Sequence, residues 1–245
     1  MTKTSTSGES DIAQDLLSLG LSKYKTILAD PPWQFANRTG KMAPEHKRLM
    51  RYSTMSLPQI MELPVSQLAQ QTCHLYLWVP NALVLEALEV MKRWGFVYKT
   101  NLVWYKVRKD GGPDGRGVGF YFRNVTEIVL FGVRGHMRTL GPGRKQVNIL
   151  SSRKREHSRK PDELYEIIEK CSPGPYLELF ARHQRRGWDQ WGNEVGNSAA
   201  KLHPAYRGGE IDTKSQLNLL ENRHFYSTQK RRAFVGSLIK RNLPK

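Results

Sequence analysis

The chain has 245 residues, with 39 Lys or Arg against 22 Asp or Glu, which gives a formal net charge of +17. A mean hydropathy of −0.58, and no apolar run near the roughly 18 residues that a membrane span needs, exclude a membrane protein. Two cysteines are too few for a disulfide scaffold or a structural zinc site. The Ser/Thr-rich start carries no apolar signal core, so a cytoplasmic location is expected. The basicity favours a phosphate-bearing partner, DNA or RNA, although net charge alone leaves open an ordinary basic protein.

Strands and helices alternate along the first three quarters of the chain. Apolar runs predict strands, and three- and four-residue apolar spacing predicts helices. The predicted strands are 24–29, 73–79, 96–105, 126–133, 147–150 and 176–181, and the predicted helices are 60–70 (interrupted by Pro64), 83–94 and 161–171. A turn-rich segment is expected up to residue 195. This alternation predicts an α/β fold with a mostly parallel sheet flanked by helices.

The composition changes after Gly196. Residues 197–245 hold ten Lys or Arg against three Asp or Glu, with aromatic residues interleaved. This predicts three parts: an N-terminal segment (1–22) that is partly flexible, a central domain (23–196) and a basic C-terminal extension (197–245). The extension either contacts nucleic acid or packs on the core or on a second subunit.

The string Asp30-Pro31-Pro32-Trp33 follows directly on the first predicted strand, where open α/β sheets form their ligand crevices. It is also an ordinary turn sequence. Its residues nevertheless suit methylation of an exocyclic amine on a base. Hydrogen bonds from the amine to the Asp30 carboxylate and the Pro31 carbonyl would localise the nitrogen lone pair. The two prolines stiffen the turn, and Trp33 offers a face on which a base can stack.

Two further segments, 34–51 and 109–123, are long for loops inside a compact domain and are rich in basic residues or glycine. We interpret them as gates that close around an extruded base, with a surface insertion as the alternative. Trp78 and Trp104 lie within predicted strands. Trp78 is expected in the core, whereas a core position and a base-pocket position are equally favoured for Trp104.

An ordered series of motifs covers most of the chain, from residue 23 to residue 195. After the Asp30 motif it comprises Tyr-Ser-Thr-Met (52–55), Leu-Tyr-Leu-Trp-Val (75–79), Leu-Val-Trp-Tyr-Lys (102–106), residues 155–162, Leu-Glu-Leu-Phe-Ala-Arg (177–182) and Trp-Gly-Asn-Glu (191–194). In this series the chain resembles the DPPW-motif adenine-N6 methyltransferase family, which includes the catalytic subunit of the messenger-RNA adenosine methyltransferase and bacterial and phage DNA methyltransferases.

The resemblance implies a Rossmann-like, permuted methyltransferase domain that uses S-adenosylmethionine, with the catalytic motif ahead of the cofactor-binding motif. It also implies site residues. The catalytic residues are Asp30, Pro31, Pro32 and Trp33; the substrate-binding residues are Tyr52, Trp104, Lys106 and Arg155; the cofactor-binding residues are Asp30, Lys160, Phe180, Arg182, His183, Asn193 and Glu194. Glu127 matches a family acid that either ties the gates together or only caps a strand. Seven histidines without paired ligand spacing predict no metal site.

The expected function is transfer of a methyl group to N6 of an adenine in DNA, with the target base flipped out or single-stranded. The alternatives are an RNA N6-adenosine methyltransferase and a catalytically silent nucleic-acid-binding subunit. The expected partner is DNA, with RNA as the alternative; a homodimer or a second methyltransferase-like subunit stays open.

Overall fold

The computed structural model describes residues 6–34, 54–115, 121–153 and 160–192. The chain divides into two units, Met1–Tyr206 and Arg207–Lys245, and every described residue belongs to the first. Its elements in chain order are α1 (Thr6–Leu17), β1 (Tyr24–Ala29), α2 (Leu57–Glu62), α3 (Val65–Leu68), β2 (Ala69–Val79), α4 (Val84–Arg93), β3 (Val97–Val107), β4 (Thr126–Arg134), β5 (Ile149–Arg153), α5 (Glu163–Cys171), β6 (Tyr176–Leu179) and β7 (Trp188–Trp191). Short 3-10 turns occupy Asn81–Leu83 and Gly141–Lys145. No helix in this part of the chain combines the length and the apolar character needed to cross a bilayer.

Seven strands form one sheet in the order β5-β3-β4-β2-β1-β6-β7. Four of the strand pairs are parallel, namely β1·β2, β1·β6, β6·β7 and β3·β5. Strand β4 is antiparallel to both of its neighbours. The predicted α/β, Rossmann-like class with a mostly parallel sheet is therefore confirmed, while the permuted motif order stays a prediction. Because β4 runs against the other strands, its amino end lies at the same end of the sheet as their carboxyl ends. We call this the carboxyl end of the sheet.

Helices cover both faces of the sheet. On the first face, Leu16 of α1, Ile60 of α2 and Val90 of α4 are fully buried in one cluster with Ile27 of β1. On the second face, α5 packs Ile168 into a cluster with residues of β1, β2, β3 and β4. Strand β1 therefore buries side chains on both sides, which explains why its sequence is apolar without strict alternation.

The helix predicted over 60–70 is wrong in its bounds. Helix α2 begins after Ser56. The Ser56 side chain accepts from the Gln59 N–H, and the Gln59 side chain accepts from the Ser56 N–H. The chain leaves the helix at Leu63 and Pro64, and α3 has only four residues. Residues from Ala69 onward join β2 because Ala69 pairs with Tyr24 of β1. That pairing is a tertiary contact, which local periodicity does not encode.

The segment predicted as turns after residue 181 contains β7, so this prediction is also wrong. Strand β7 pairs in parallel with β6 at the edge of the sheet, with Leu177 opposite Asp189. Its terminal residues, Trp188 and Trp191, are buried in the clusters of opposite faces. Four residues are too few for the sequence pattern to distinguish a strand from a turn.

Candidate active site

Asp30 lies directly after the carboxyl end of β1, between β2 and β6 in the sheet. Its backbone N–H donates to the Leu179 carbonyl of β6 over 3.4 Å. The turn that follows is held by backbone hydrogen bonds: the Pro31 carbonyl accepts from Trp33 N–H at 2.8 Å, and the Pro32 carbonyl accepts from Met55 N–H at 2.9 Å. The Asp-Pro-Pro-Trp motif is thus fixed at the carboxyl end of the sheet, where side chains from other elements also lie.

Four charged side chains alternate in sign along the carboxyl end of the sheet. Lys160 Nζ lies 3.1 Å from Asp30 Oδ2 and 3.3 Å from Glu127 Oε2. Lys106 Nζ lies 2.5 Å from Glu127 Oε1. Strand β1 brings Asp30, the end of β3 brings Lys106, the amino end of the antiparallel β4 brings Glu127, and the segment before α5 brings Lys160. We call Asp30, Lys160, Glu127 and Lys106 the charged row.

The electrostatics of the charged row keep its central pair ionised. Burial works to lower the pKa of Lys160, but the charges of Asp30 and Glu127 outweigh it and raise that pKa above its usual value. Burial likewise works to raise the pKa of Glu127, but the charges of Lys160 and Lys106 lower it. Side-chain exposures of 23% for Lys160, 27% for Asp30 and 30% for Glu127 leave the row open to a ligand from solvent.

Tryptophan rings lie against both lysines of the charged row. Lys160 Nζ is 4.7 Å from the ring centroid of Trp78, and Lys106 Nζ is 4.9 Å from that of Trp104. The two rings meet edge to face at 6.1 Å, and Trp104 Nε1 donates to Ser152 Oγ at 2.9 Å. Both rings are buried, which confirms the core position of Trp78 and gives Trp104 a place in the core beside the site.

Trp33 is placed differently from the exposed stacking face that the motif suggests. Its side chain is 6% exposed and packs in the first-face cluster, and its Nε1 donates to the Trp78 carbonyl at 3.0 Å. In this arrangement the ring anchors the turn to β2. Stacking of a base on Trp33 stays a prediction.

The predicted cofactor segment at the end of β6 has a tight backbone. Phe180 adopts a left-handed conformation with φ of 65°, and Ala181 N–H donates to the Trp191 carbonyl at 3.0 Å. A Cβ atom on Gly192 would lie 2.6 Å from Ala181 N, so only glycine permits this close approach of the two segments. Arg182 is partly buried, and His183 is exposed on the following turn.

Glu178 is a partly buried acid beside Asp30 to which the sequence interpretation gave no role. It is the register partner of Leu28 on the neighbouring strand. Tyr165 Oη donates to Glu178 Oε1 at 2.7 Å, and Gln190 Nε2 donates to Oε2 at 3.1 Å. Burial raises the pKa of Glu178, and the negative charge of Asp30 adds to the shift. Its position inside the Leu-Glu-Leu-Phe-Ala-Arg motif was the available indication, because a lone acid in an apolar strand needs a polar partner.

Four predicted site residues, Tyr52, Arg155, Asn193 and Glu194, lie outside the described residues. Among the others, Lys160 contacts Asp30 directly, and Glu127 links Lys160 to Lys106. Phe180, Arg182 and His183 follow β6, the next strand along the same edge.

Comparison with known proteins identifies the family of the chain. The MT-A70 family model matches residues 24–194, which include the whole charged row. The chain belongs to the MT-A70 family. The adenine-N6 methyltransferase family assigned from the ordered motifs is thereby confirmed.

Three relatives illustrate the breadth of MT-A70 similarity. The type II methyltransferase M.MunI of a Mycoplasma species is 29% identical over 209 residues, covering 78% of this chain and 84% of M.MunI. The human N(6)-adenine-specific methyltransferase METTL4 is 32% identical over 70% of this chain and 37% of its own length. Human METTL3, an N(6)-adenosine-methyltransferase catalytic subunit, is 28% identical over 71% of this chain and 29% of its own length. The chain thus spans most of M.MunI but less than two fifths of these two human proteins.

Proposed function

We propose that this MT-A70 chain transfers a methyl group from S-adenosylmethionine to N6 of an adenine in DNA. The observation that carries the proposal is the Asp30 carboxylate at the carboxyl end of β1, held at 3.1 Å by the Lys160 ammonium at a solvent-reachable edge. A carboxylate here can meet a neutral amine on one side while a lysine fixes its position on the other.

The chemistry asked of Asp30 follows from the reactivity of an aromatic amine. The lone pair of an exocyclic amine is delocalised into the ring, so the nitrogen is a poor nucleophile until its N–H groups are engaged. The described contact with Lys160 uses Oδ2 of Asp30, and a carboxylate accepts hydrogen bonds at both oxygens. An amine hydrogen bond at Oδ1 is therefore compatible with the ion pair. The carboxylate also balances the positive charge that develops on the nitrogen only in the transition state.

The chain's residues suit S-adenosylmethionine, which when bound supplies an electrophilic methyl group on a sulfonium. Lys160 is charged, partly exposed and shared between two carboxylates, so it can pair with a ligand carboxylate without losing all of its own partners. The close backbone approach at Gly192 gives a defined shape to the Phe180 segment, which follows β6, the neighbour of β1. We assign contacts to the ribose and adenine to Arg182, His183, Asn193 and Glu194, and contacts to the nucleic acid to Tyr52, Lys106 and Arg155. The buried Trp104 supports Lys106 from the core.

DNA is favoured over RNA by the extent of similarity. M.MunI, a type II methyltransferase, is matched along most of both chains. The similarity to METTL3, named for an adenosine methyltransferase, supports RNA as a second candidate. A silent binding subunit is disfavoured because Asp30 and Lys160 are both present and in contact. The proposed architecture is a catalytic domain over 23–196, with the basic extension over 197–245 adding phosphate contacts.

The deciding experiment supplies a labelled methyl donor with DNA and, separately, RNA to the purified chain, followed by mass spectrometry of the nucleosides. Labelled N6-methyldeoxyadenosine supports the proposal, and labelled N6-methyladenosine alone transfers it to RNA. No labelled product from either, together with no uptake of the donor in a calorimetric titration, would identify a silent subunit. A salt titration of DNA binding, with and without residues 197–245, tests the extension: loss of phosphate contacts lowers the slope of affinity against salt.

A further inference from the structure

Two adjacent aromatic side chains are the most exposed large hydrophobic groups among the described residues. Tyr121 is 95% exposed and Phe122 is 85% exposed, whereas the next highest values, at Leu21 and Leu85, are 64%. Adjacent aromatic groups held this far into solvent form an apolar protrusion, and such exposed apolar surface often marks a contact surface.

The described ends of the connection between β3 and β4 are anchored at the charged row. Asp114 N–H donates to the Lys106 carbonyl at 2.9 Å, and Lys106 N–H donates to the Val125 carbonyl at 2.8 Å. Both ends of the connection are therefore bound to Lys106, whose side chain pairs with Glu127. Phe122 lies three residues before Val125, which is hydrogen-bonded to Lys106, so the chain holds the aromatic pair within a few residues of the charged row.

The surroundings of the pair suit a nucleic-acid backbone. Arg123 follows directly and is exposed, and Lys109 is exposed at the other end of the connection. Cations of this kind hold phosphates and set the register of a protein on DNA, while neighbouring apolar side chains can enter between bases. A charge of +17 over the whole chain is consistent with such a partner.

We propose that Tyr121 and Phe122 form an aromatic wedge that enters a DNA duplex next to the target adenine and fills the space left when that base turns out of the stack. The inference rests on the proposed function and narrows its substrate to duplex DNA. An adenine in a duplex reaches a carboxylate at the charged row only if it leaves the stack, and unstacking is costly unless another group replaces the base. Aromatic rings supply that replacement without regard to sequence, because every base has a π face.

The test compares native bacterial DNA that lacks N6-methyladenine with the same DNA after heat denaturation, using the full chain and a labelled methyl donor. The double variant Tyr121→Ala with Phe122→Ala should lower the native-to-denatured rate ratio by roughly ten- to a hundredfold, because the loss of stacking applies only to the duplex. The double variant Tyr121→Trp with Phe122→Trp should retain the ratio. The matched control is Tyr98→Ala, which removes a 43% exposed aromatic residue from the opposite end of β3.

A second readout does not depend on methyl transfer. The fluorescence of duplexes that carry 2-aminopurine at scattered adenine positions should rise when the wild-type chain extrudes the base. The double alanine variant should lose this rise. Equal loss of rate on native and denatured DNA, or no loss on either, would overturn the wedge. Methylation of denatured DNA or RNA alone would overturn it as well.

The two proposals fail in different ways. If the wild-type chain raises 2-aminopurine fluorescence but methylates neither DNA nor RNA, the proposed function is contradicted while the aromatic wedge is supported. Aromatic-dependent binding to phosphatidylcholine–phosphatidylserine vesicles, with an unchanged rate ratio on DNA, would assign the pair to a membrane surface and overturn the inference.

Discussion

The two ends of helix α5 hold two polar networks that differ in charge and in exposure. Lys160 precedes the helix and belongs to the charged row, whose Asp30, Lys160 and Glu127 side chains are 23–30% exposed. Ser172 follows the helix and joins His74 and Tyr76, with His74 Nδ1 at 2.8 Å and Tyr76 Oη at 2.7 Å from Ser172 Oγ. His74 and Ser172 are fully buried, and burial lowers the pKa of His74, which keeps it neutral.

We expect this difference to separate stability from chemistry. Neutral groups can be buried completely when each finds a partner, because no charge is removed from water. The charged groups lie at the carboxyl end of the sheet, where a ligand can replace one of their ion-pair partners. The neutral network is therefore expected to act mainly on folding, and the charged row mainly on binding and catalysis, with a smaller share in stability. The following variants test that separation.

The largest effect is expected for Asp30→Asn, which keeps the size of the side chain and removes its charge. The methyl-transfer rate should fall roughly 100- to 10 000-fold, because the amide cannot balance charge on the nitrogen and accepts hydrogen bonds at only one atom. Single-turnover nucleoside mass spectrometry measures this. Glu89→Gln on the exposed side of α4 is the matched control, and an Asp30→Asn enzyme with near wild-type turnover would remove Asp30 from the chemistry.

Next is Lys160→Met, which should weaken binding of S-adenosylhomocysteine about 10- to 100-fold, the scale of one charge-assisted hydrogen bond. Isothermal calorimetry gives the dissociation constant, with the exposed Lys92→Met as control. Because Lys160 also holds Asp30 and Glu127, turnover at saturating donor should fall too. Unchanged affinity would mean that Lys160 serves only the ion pairs.

Ser172→Ala tests the neutral network. It leaves the His74 ring and the Tyr76 hydroxyl without their shared partner, so the free energy of unfolding should fall by about 1–3 kcal/mol. Turnover per folded molecule should be unchanged. Urea denaturation measures the stability, and Ser18→Ala, which removes an exposed hydrogen bond to the Asp15 carbonyl, should change it by no more than about 0.5 kcal/mol. A loss of turnover without a loss of stability would contradict the separation.

The smallest effect is expected for Glu127→Gln, and it should depend on pH. Since the folded pKa of Glu127 is lowered, its stabilising contribution is present above its ordinary pKa of 4.5 and is lost as the pH falls through the folded value. The partly exposed pairs are expected to give about 1 kcal/mol at neutral pH. Urea denaturation of the wild type and of Glu127→Gln at several pH values should show a difference in free energy of unfolding that shrinks toward acid pH. A difference that grows toward acid pH would contradict the lowered pKa.

Much of the fold was predictable because local patterns were strong. The bounds of β1 agree with the prediction, and β4 differs from it by one residue. Predictions failed where an element depends on a distant partner. The residues from Ala69 become strand by pairing with β1, and β7 is stabilised by pairing with β6. Helix α1 has its buried Leu16 in the first-face cluster, a contact that the composition of the N-terminal segment does not reveal.

For the site, the sequence by itself identified the family and predicted the candidate site residues. Asp30 follows a strand, Lys160 precedes a helix, and the order of motifs identified an adenine-N6 methyltransferase family. Only the tertiary structure decided which charges meet, because Asp30, Lys106, Glu127 and Lys160 are far apart in the chain and converge through the order and direction of the strands. The antiparallel direction of β4 is the physical reason that Glu127 joins Lys106 and Lys160, and the covering of both sheet faces is the reason that Trp33 is buried.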